Sequence, residues 1–573
     1  MSVRSIVSSS LLARPWSPPL PPGGCLAVGF SHRLSALKPV KPLPPSLLPG
    51  RCLTIDPCRL PMPVLARTRL NFHANTKFSQ RHFSPSTIPT PGDNMTIRTR
   101  RVVLLSLLGL SLICVNLYAG AAESYSSDSA TSIVFSPLKG TPWVKECVAR
   151  YPEISWLADD KVRKTGEGQA ALHGSYSEQL YGRKYIEFDR TIMTIYCLKL
   201  FLDGGDEAYS VLTADQPEDI KLSKESFRTI HLQLHALLTS HWGGMSSLQM
   251  AQTMVAALVF GDMGKSQKAR DLLGAYGAIA SDHDDFYEQA MPLLEKYPEL
   301  CRDFPSFAAL PEAGKRLIIK VANLIHYGHV THLEGGLEMF TKLKESAILS
   351  TDPVAFSFDL AIHICDVAGA LGHVNKTSSL VYTEPTHQTM QRVGYTIRVL
   401  SDPRKGEIDV YNAYLSYCAS SLGLNAKNRS HRILARIGAL MRLRTPQEGK
   451  IIQVAMIKLI KSDPSMRHRI IAQVDQNNRP YRTPTYIPAV LVNLSNNPRL
   501  GMTKEERLAG AITEGLPFIV RVLERYKELL AKREIDPNIP LNLNKIAEAA
   551  KGPSSLLDKE FLIDKEGNVH LLI

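Results

Sequence analysis

The sequence predicts an all-α protein, and three observations support this class. Apolar residues recur at helical spacing in most stretches between residues 185 and 532. Serines stand directly before two of these stretches, at Ser223 and Ser246, where a hydroxyl can cap the first turn of a helix. Strand signals are few and short.

The predicted helices follow one another along the chain. The first covers 185–202, is apolar on most sides and is stopped by Gly204 and Gly205. Two helices are predicted within 222–275, with Ser223 or Ser226 capping the first and Ser246 or Ser247 capping the second. The remaining helix-like stretches are 276–300, 312–345, 353–372, 390–425, 430–443, 448–462 and 503–532.

Two short pieces are candidates for extended structure. One is 485–494, which Pro488 would confine to the edge of a sheet. The other is 560–573, which predicts a hairpin that turns at Gly567 and Asn568.

The positive charge of the chain is concentrated in its first residues. Residues 1–101 contain 14 Lys and Arg against 2 Asp and Glu, whereas the remainder contains 53 against 52. The part of the chain predicted to fold is therefore nearly neutral. No nucleic-acid partner is expected from this distribution.

The N-terminal residues resemble a leader followed by a targeting segment. Residues 1–94 are rich in Pro and Ser and poor in acids, which predicts a disordered region, an organellar transit peptide or an untranslated leader. Residues 95–122 then have a basic start at Met95, an apolar run and an Ala119-Gly120-Ala121 cleavage pattern. We predict a signal peptide and a secreted or periplasmic protein. The alternatives are an anchor, with membrane contact only through an uncleaved 102–122, and a mitochondrial location.

The most informative motif is the end of an apolar helix at 256–265, where the sequence reads AALVFGDMGK. The helix dipole disfavours a carboxylate at the C-terminal end of a helix, so Asp262 there predicts a nearby cation. Gly264 permits a sharp turn after it, and Lys265 could approach an anionic substrate. Asp262 and Lys265 are the candidate catalytic residues.

Several histidines surround this motif in the sequence. His231 and His235 are four residues apart and share a helix face, so one of them could be a ligand or both could be solvated. His283 lies in an acidic stretch, which suits either a carboxylate–histidine pair or a helix cap formed by Ser281 or Asp282.

A second group of candidates lies further along the chain. His326, His329 and His332 step by three and could lie on one helix face, either as metal ligands or as ordinary structural histidines. Asp366 is an isolated carboxylate in an apolar helix, three residues after His363. A buried carboxylate is costly unless it is paired or bound to a metal.

The order of these residues resembles the HD-domain metal-dependent phosphohydrolases, over roughly 226–370. The resemblance implies an HD-like helical bundle and a divalent metal, Fe, Mn or Zn. It implies a phosphorylated small molecule or nucleotide as substrate. The ligand set carried over from the family is His235, Asp262, His283, His329, His332 and Asp366.

The chain departs from the family pattern at Gly261, which stands where the histidine of the His-Asp pair is found. One metal site would keep His235 or His231 together with Asp262 and Asp366, and three ligands can still hold a catalytic metal. A second site from His283, His329 and His332 could remain whole. The predicted function is a metal-dependent phosphohydrolase with an impaired site. The alternatives are an inactive HD-like binding or scaffold protein and a di-iron oxygenase of the myo-inositol oxygenase type.

The predicted organisation comprises three regions after the targeting segment. These are an N-terminal helical region (123–215), the HD-like metal-binding core (216–400) and an additional helical region (401–573). In the last region Arg432, Arg436, Arg442 and Arg444 form a basic stretch. We expect either a solvated face or contact with an anionic ligand.

Overall fold

The computed structural model describes residues 132–159, 161–162, 172–280, 283–322, 324–475 and 482–572. The predicted leader (1–94) and signal peptide (95–122) lie outside these residues, as do Ser281 and Asp282. Within the described part of the chain, no helix combines the length and the apolar character needed to cross a bilayer.

The described residues are mostly helical, which confirms the all-α class. The α-helices are α1 Gly140–Arg150, α2 Tyr176–Tyr181, α3 Ile186–Asp203, α4 Asp206–Leu212, α5 Lys224–Leu238, α6 Ser247–Phe260, α7 Gln267–Gly274, α8 His283–Lys296, α9 Pro305–Ala308, α10 Glu312–Val321, α11 Tyr327–Thr331, α12 Thr341–Glu345, α13 Ile348–Thr351, α14 Pro353–Gly369, α15 Glu384–Ile397, α16 Glu407–Ser421, α17 Arg429–Leu440, α18 Pro446–Ser462, α19 Ser465–Val474, α20 Ile487–Asn496, α21 Lys504–Gly510, α22 Leu516–Ala531 and α23 Asn544–Ala549.

Shorter elements connect these helices. A five-residue π-helix at Ala511–Gly515 joins α21 to α22. The 3₁₀ turns are Ile133–Phe135, Pro152–Leu157, Trp242–Gly244, Met263–Lys265, Pro298–Asp303, Leu337–Phe340, Arg398–Ser401 and Pro498–Leu500. Strands β1 (Phe561–Ile563) and β2 (Val569–Leu571) pair antiparallel, which confirms the predicted C-terminal hairpin.

The predicted ends of the helices around the motif at 256–265 are confirmed. Helix α3 ends at Gly204, which has φ of 69°, a left-handed conformation that glycine adopts without strain. The Ser223 side chain accepts a hydrogen bond from the Ser226 amide at the start of α5. Ser246 forms a capping box with Gln249 at the start of α6.

Local predictions are wrong at several places, among them 485–494 and 312–345. The piece at 485–494 is not extended, because Ile487–Asn496 is a helix and Pro488 lies in its first turn, where proline is tolerated. The stretch 312–345 is not one helix, since a five-residue helix, Tyr327–Thr331, lies between turns. The histidines of this stretch therefore do not share a long helical face.

Helices α3 and α14 form the centre of the larger hydrophobic core. A Cβ atom at Gly369 would lie 2.4 Å from the backbone nitrogen of Thr194, so the two helices approach closely at this point. This core includes apolar residues from Ile133 to Ala419. A second cluster of buried apolar residues lies within 422–569. The region boundaries at 215 and 400 stay predictions.

Candidate functional site

Helix α3 carries charged residues into the core. Glu187 and Arg190 are three residues apart, and Arg190 Nη1 lies 3.1 Å from each carboxylate oxygen of Glu187. Both side chains are buried. Most of this helix is buried, so the ion pair lies inside the protein.

The turn after helix α6 adds two further charges. Lys265 Nζ lies 2.8 Å from Asp262 Oδ1 and 2.7 Å from Glu187 Oε2. The hydroxyl of Thr191 donates a hydrogen bond of 2.5 Å to Asp262 Oδ2. Glu187, Arg190, Asp262 and Lys265 are hereafter called the ionic cluster. The cation predicted beside Asp262 is thus the chain's own lysine, which is 1% exposed.

The ionic cluster is balanced in charge, with two carboxylates and two cations. Burial by itself raises the pKa of the Glu187 carboxyl, but Arg190 and Lys265 outweigh this effect and lower the pKa to about 2. Glu187 is therefore ionised at neutral pH. The cluster can hold its own charges inside the protein without an added ion.

Close packing fixes the turn that carries Lys265. A Cβ atom at Gly264 would lie 2.2 Å from the backbone oxygen of His283. The Gly264 carbonyl also accepts a hydrogen bond of 2.6 Å from Arg270 Nε, while Arg270 Nη1 donates to Ala280 O. Glycine is required at 264 because another chain segment touches it.

His373 lies just beyond helix α14 and is 1% exposed. Among the described residues, neither of its ring nitrogens has a hydrogen-bond partner. Burial, and then the charge of Arg190, lowers the pKa of His373 to about 4. The imidazole is neutral at physiological pH and resists protonation, so it can accept or donate a hydrogen bond but is a poor general acid there.

The remaining predicted ligands face different surroundings. His235 is half-buried against His231, with 4.4 Å between the ring centroids. His329 Nδ1 lies 3.0 Å from a carboxylate oxygen of Glu334. His332 Nδ1 lies 3.3 Å from the backbone oxygen of Ala439. His283 is the buried first residue of α8, and Asp366 is buried on α14.

The structure brings Asp262 and Lys265 together, but neither predicted set of three ligands is found as a metal-holding group among the described residues. Within the residues described, no group of three or more His, Cys, Asp or Glu side chains could hold a metal ion. A bound metal stays a prediction.

Sequence reasoning missed three residues of this region, namely Glu187, Arg190 and His373. For Glu187 and Arg190 the available signal was two opposite charges three residues apart in a helix predicted to be buried, because such charges are rarely buried without partners.

A family model matches residues 151–550 of the chain, and its description is a family of unknown function (DUF6829). The match covers more than half of the chain. No curated protein and no solved structure matches the sequence.

Proposed function

Since the chain belongs to the family of unknown function DUF6829, we propose its function from its own geometry. The protein is a helical binding protein that works without metal-dependent hydrolysis. This is the second of the functions expected from the sequence, the inactive binding or scaffold protein.

One observation carries the proposal: the ammonium of Lys265 lies within 2.8 Å of both Asp262 and Glu187. A divalent metal bound to Asp262 would lie within a few ångströms of that ammonium. Like charges so close inside a protein repel strongly. Lys265 therefore already neutralises Asp262, the carboxylate that the family resemblance assigns to a metal.

The same contacts argue against a catalytic role for Lys265. A lysine that stabilises a phosphoryl group must present its charge to the substrate. Lys265 is almost fully buried, and its charge is directed to two carboxylates of the protein. Its position supports a structural role that joins the turn at 263–265 to helix α3.

The proposal is tested by elemental analysis and by hydrolysis assays on the full purified chain. We expect Fe, Mn and Zn well below one equivalent after reconstitution, and no Mn-dependent hydrolysis of a phosphomonoester. Asp366→Ala should leave the metal content unchanged, as should the matched surface variant Asp271→Ala. Near-stoichiometric metal that Asp366→Ala alone abolishes would overturn the proposal, and so would Mn-dependent turnover.

The other two functions make different predictions for the same samples. A phosphohydrolase impaired by Gly261 should turn over phosphate esters faster after Gly261→His, because the substitution completes the predicted ligand set. A di-iron oxygenase should bind iron and consume oxygen. Either result would replace the binding function proposed here.

A further inference from the structure

A small cavity lies where helices α15 and α16 meet the segment that follows α17. Its volume is about 50 Å³. A single water needs roughly 10–15 Å³ by the same measure, so the cavity suits a group of a few heavy atoms. It has the scale of an anionic head group and is too small for a whole nucleotide.

Three arginines from two parts of the chain line this cavity: Arg392, Arg442 and Arg444. Arg392 lies on α15, and its guanidinium carbon is 4.1 Å from the centroid of the Tyr417 ring on α16. Such stacking holds a guanidinium plane in a fixed orientation.

Arg442 and Arg444 follow helix α17. Arg442 has φ of 61°, an uncommon backbone conformation for a residue with a side chain. Its Nε and Nη2 atoms are buried, whereas Arg444 is exposed to solvent. A strained arginine at a cavity wall fits the tendency of such conformations to occur at functional positions.

The cavity lining is strongly unbalanced in charge. Among the described residues that line it, three carry guanidinium groups and none carries a carboxylate. The charge of Glu334 raises the pKa of Arg442, but the Glu334 carboxylate also pairs with His329 and accepts a hydrogen bond from the Ile487 amide. Burial, and then the charge of Arg444, lowers the pKa of Arg442 to about 9.

Hydroxyl groups also line the cavity, at Thr331, Thr389, Tyr414, Tyr417 and Ser421. Those of Thr331, Thr389, Tyr414 and Ser421 donate to backbone carbonyl oxygens of the protein. The donors that the lining offers to phosphate oxygens are therefore chiefly the guanidinium groups. An anion in the cavity would also offset the repulsion between Arg442 and Arg444.

We propose that this cavity binds the phosphate group of a small phosphorylated molecule through Arg392, Arg442 and Arg444. The inference rests on the proposed binding function and gives it a ligand class. Three cations match the double negative charge and three terminal oxygens of a phosphate monoester better than the single charge of a carboxylate. The near-neutral charge of the chain after residue 101 argues against a nucleic acid as the source of the phosphate.

The experiment is calorimetric titration of the full chain with inorganic phosphate and with glycerol 3-phosphate. We expect saturable binding of at least one of the two probes. Arg392→Gln and Arg444→Gln should each weaken it at least about tenfold, because each removes a charge-assisted hydrogen-bond donor. Arg467→Gln is the matched control, since Arg467 is an exposed helical arginine outside the cavity.

The two probes distinguish the sources of phosphate. Tighter binding of glycerol 3-phosphate indicates that the natural ligand extends beyond the phosphate, whereas equal affinity indicates recognition of the phosphate alone. The inference would be overturned if neither inorganic phosphate nor glycerol 3-phosphate showed saturable binding. So would unchanged affinity in a double Arg392→Gln/Arg444→Gln variant that retains the melting temperature of the wild type.

The same samples separate this inference from the proposed function. Metal-dependent turnover of glycerol 3-phosphate would overturn the proposed function even if the arginine variants lose affinity. If neither probe binds, and the protein also holds no metal and hydrolyses no phosphomonoester, only the phosphate site is overturned.

Discussion

The Nζ atom of Lys265 lies 2.7 Å from a carboxylate oxygen of Glu187, although 78 residues separate the two in the sequence. Each side chain is 1% exposed. The contact therefore joins helix α3 to the turn after helix α6 through charges that water does not screen. Removing either partner leaves the ionic cluster with an unbalanced buried charge, because two cations and two carboxylates pair within it.

We predict that Lys265→Met destabilises the protein by about 3–5 kcal/mol, the usual cost of breaking a buried ion pair by removing one partner. Methionine preserves most of the side-chain volume, so the loss reports the charge rather than a cavity. The measurement is urea unfolding followed by circular dichroism.

The matched control is Lys139→Met. Lys139 pairs with Glu207 at the surface, where the side chains are 75% and 81% exposed. Solvent-exposed pairs add little to stability, so this variant should unfold close to the wild type. A Lys265→Met protein as stable as the Lys139→Met protein would show that the ionic cluster contributes nothing measurable.

A second prediction concerns the close approach at Gly264. Gly264→Ala places a Cβ atom 2.2 Å from the His283 carbonyl oxygen, which belongs to the backbone and cannot rotate away. We expect a loss of about 2 kcal/mol or more, through displacement of α8 from the turn. Thermal unfolding measures the effect.

Gly274→Ala is the control for this substitution. Gly274 is the last residue of helix α7, and its added Cβ would meet no atom within 4 Å. Alanine favours the helix over glycine, so this variant should equal or slightly exceed the wild type in stability. Equal behaviour of the two variants would contradict the close approach.

The third prediction follows from the lowered pKa of Glu187. Its carboxyl has an ordinary pKa of 4.5 and a folded pKa of about 2, because Arg190 and Lys265 favour its ionised form over the opposing effect of burial. A depressed pKa stabilises the folded state above the unfolded pKa, and the contribution is lost as the pH falls towards the folded pKa. Glu187 should therefore contribute on the order of 3 kcal/mol above pH 4.5, and this should disappear by about pH 2.

The measurement is the free energy of unfolding as a function of pH for the wild type and Glu187→Gln. The wild type should lose stability more steeply than the variant between pH 4.5 and pH 2. Glu207→Gln removes an exposed carboxylate and should keep the wild-type slope. Parallel curves for the wild type and Glu187→Gln would contradict the lowered pKa.

Sequence reasoning succeeded where structure depends on neighbouring residues. The apolar spacing at 185–202 predicts helix α3, and Gly204 ends it because glycine accepts a positive φ at little cost. The hairpin at Phe561–Leu571 follows from turn residues between two short apolar runs. These rules act over a few positions and can be read from one sequence.

It failed where structure depends on distant contacts. The sequence predicted a cation beside Asp262. It did not show that this cation is Lys265 or that Lys265 also pairs with Glu187, because these contacts depend on how segments far apart in the sequence pack. Spacing suggested that His326, His329 and His332 could share one helix face. The structure has a helix of only five residues here, 327–331, with His329 Nδ1 beside Glu334 and His332 Nδ1 beside the Ala439 backbone oxygen.

Arg436 gives the last prediction, because the sequence suggested a solvated basic face and the structure places this arginine inside, at 2% exposure. Its guanidinium donates hydrogen bonds to the backbone oxygens of Leu333, Glu334, Gly335 and Val474. One side chain thus ties helix α17 to the segment after α11 and to the end of α19.

Arg436→Lys should cost about 3 kcal/mol or more, since an ammonium cannot reach all these carbonyls and leaves buried acceptors without donors. Arg432→Lys is the matched control one helical turn earlier, where the half-buried side chain donates to Asn412 Oδ1. We expect the control to lose less than about 1 kcal/mol in urea unfolding, because only a half-buried hydrogen bond changes. If Arg436→Lys and Arg432→Lys unfold alike, Arg436 does not join these segments, and the attachment of α17 must depend on apolar packing alone.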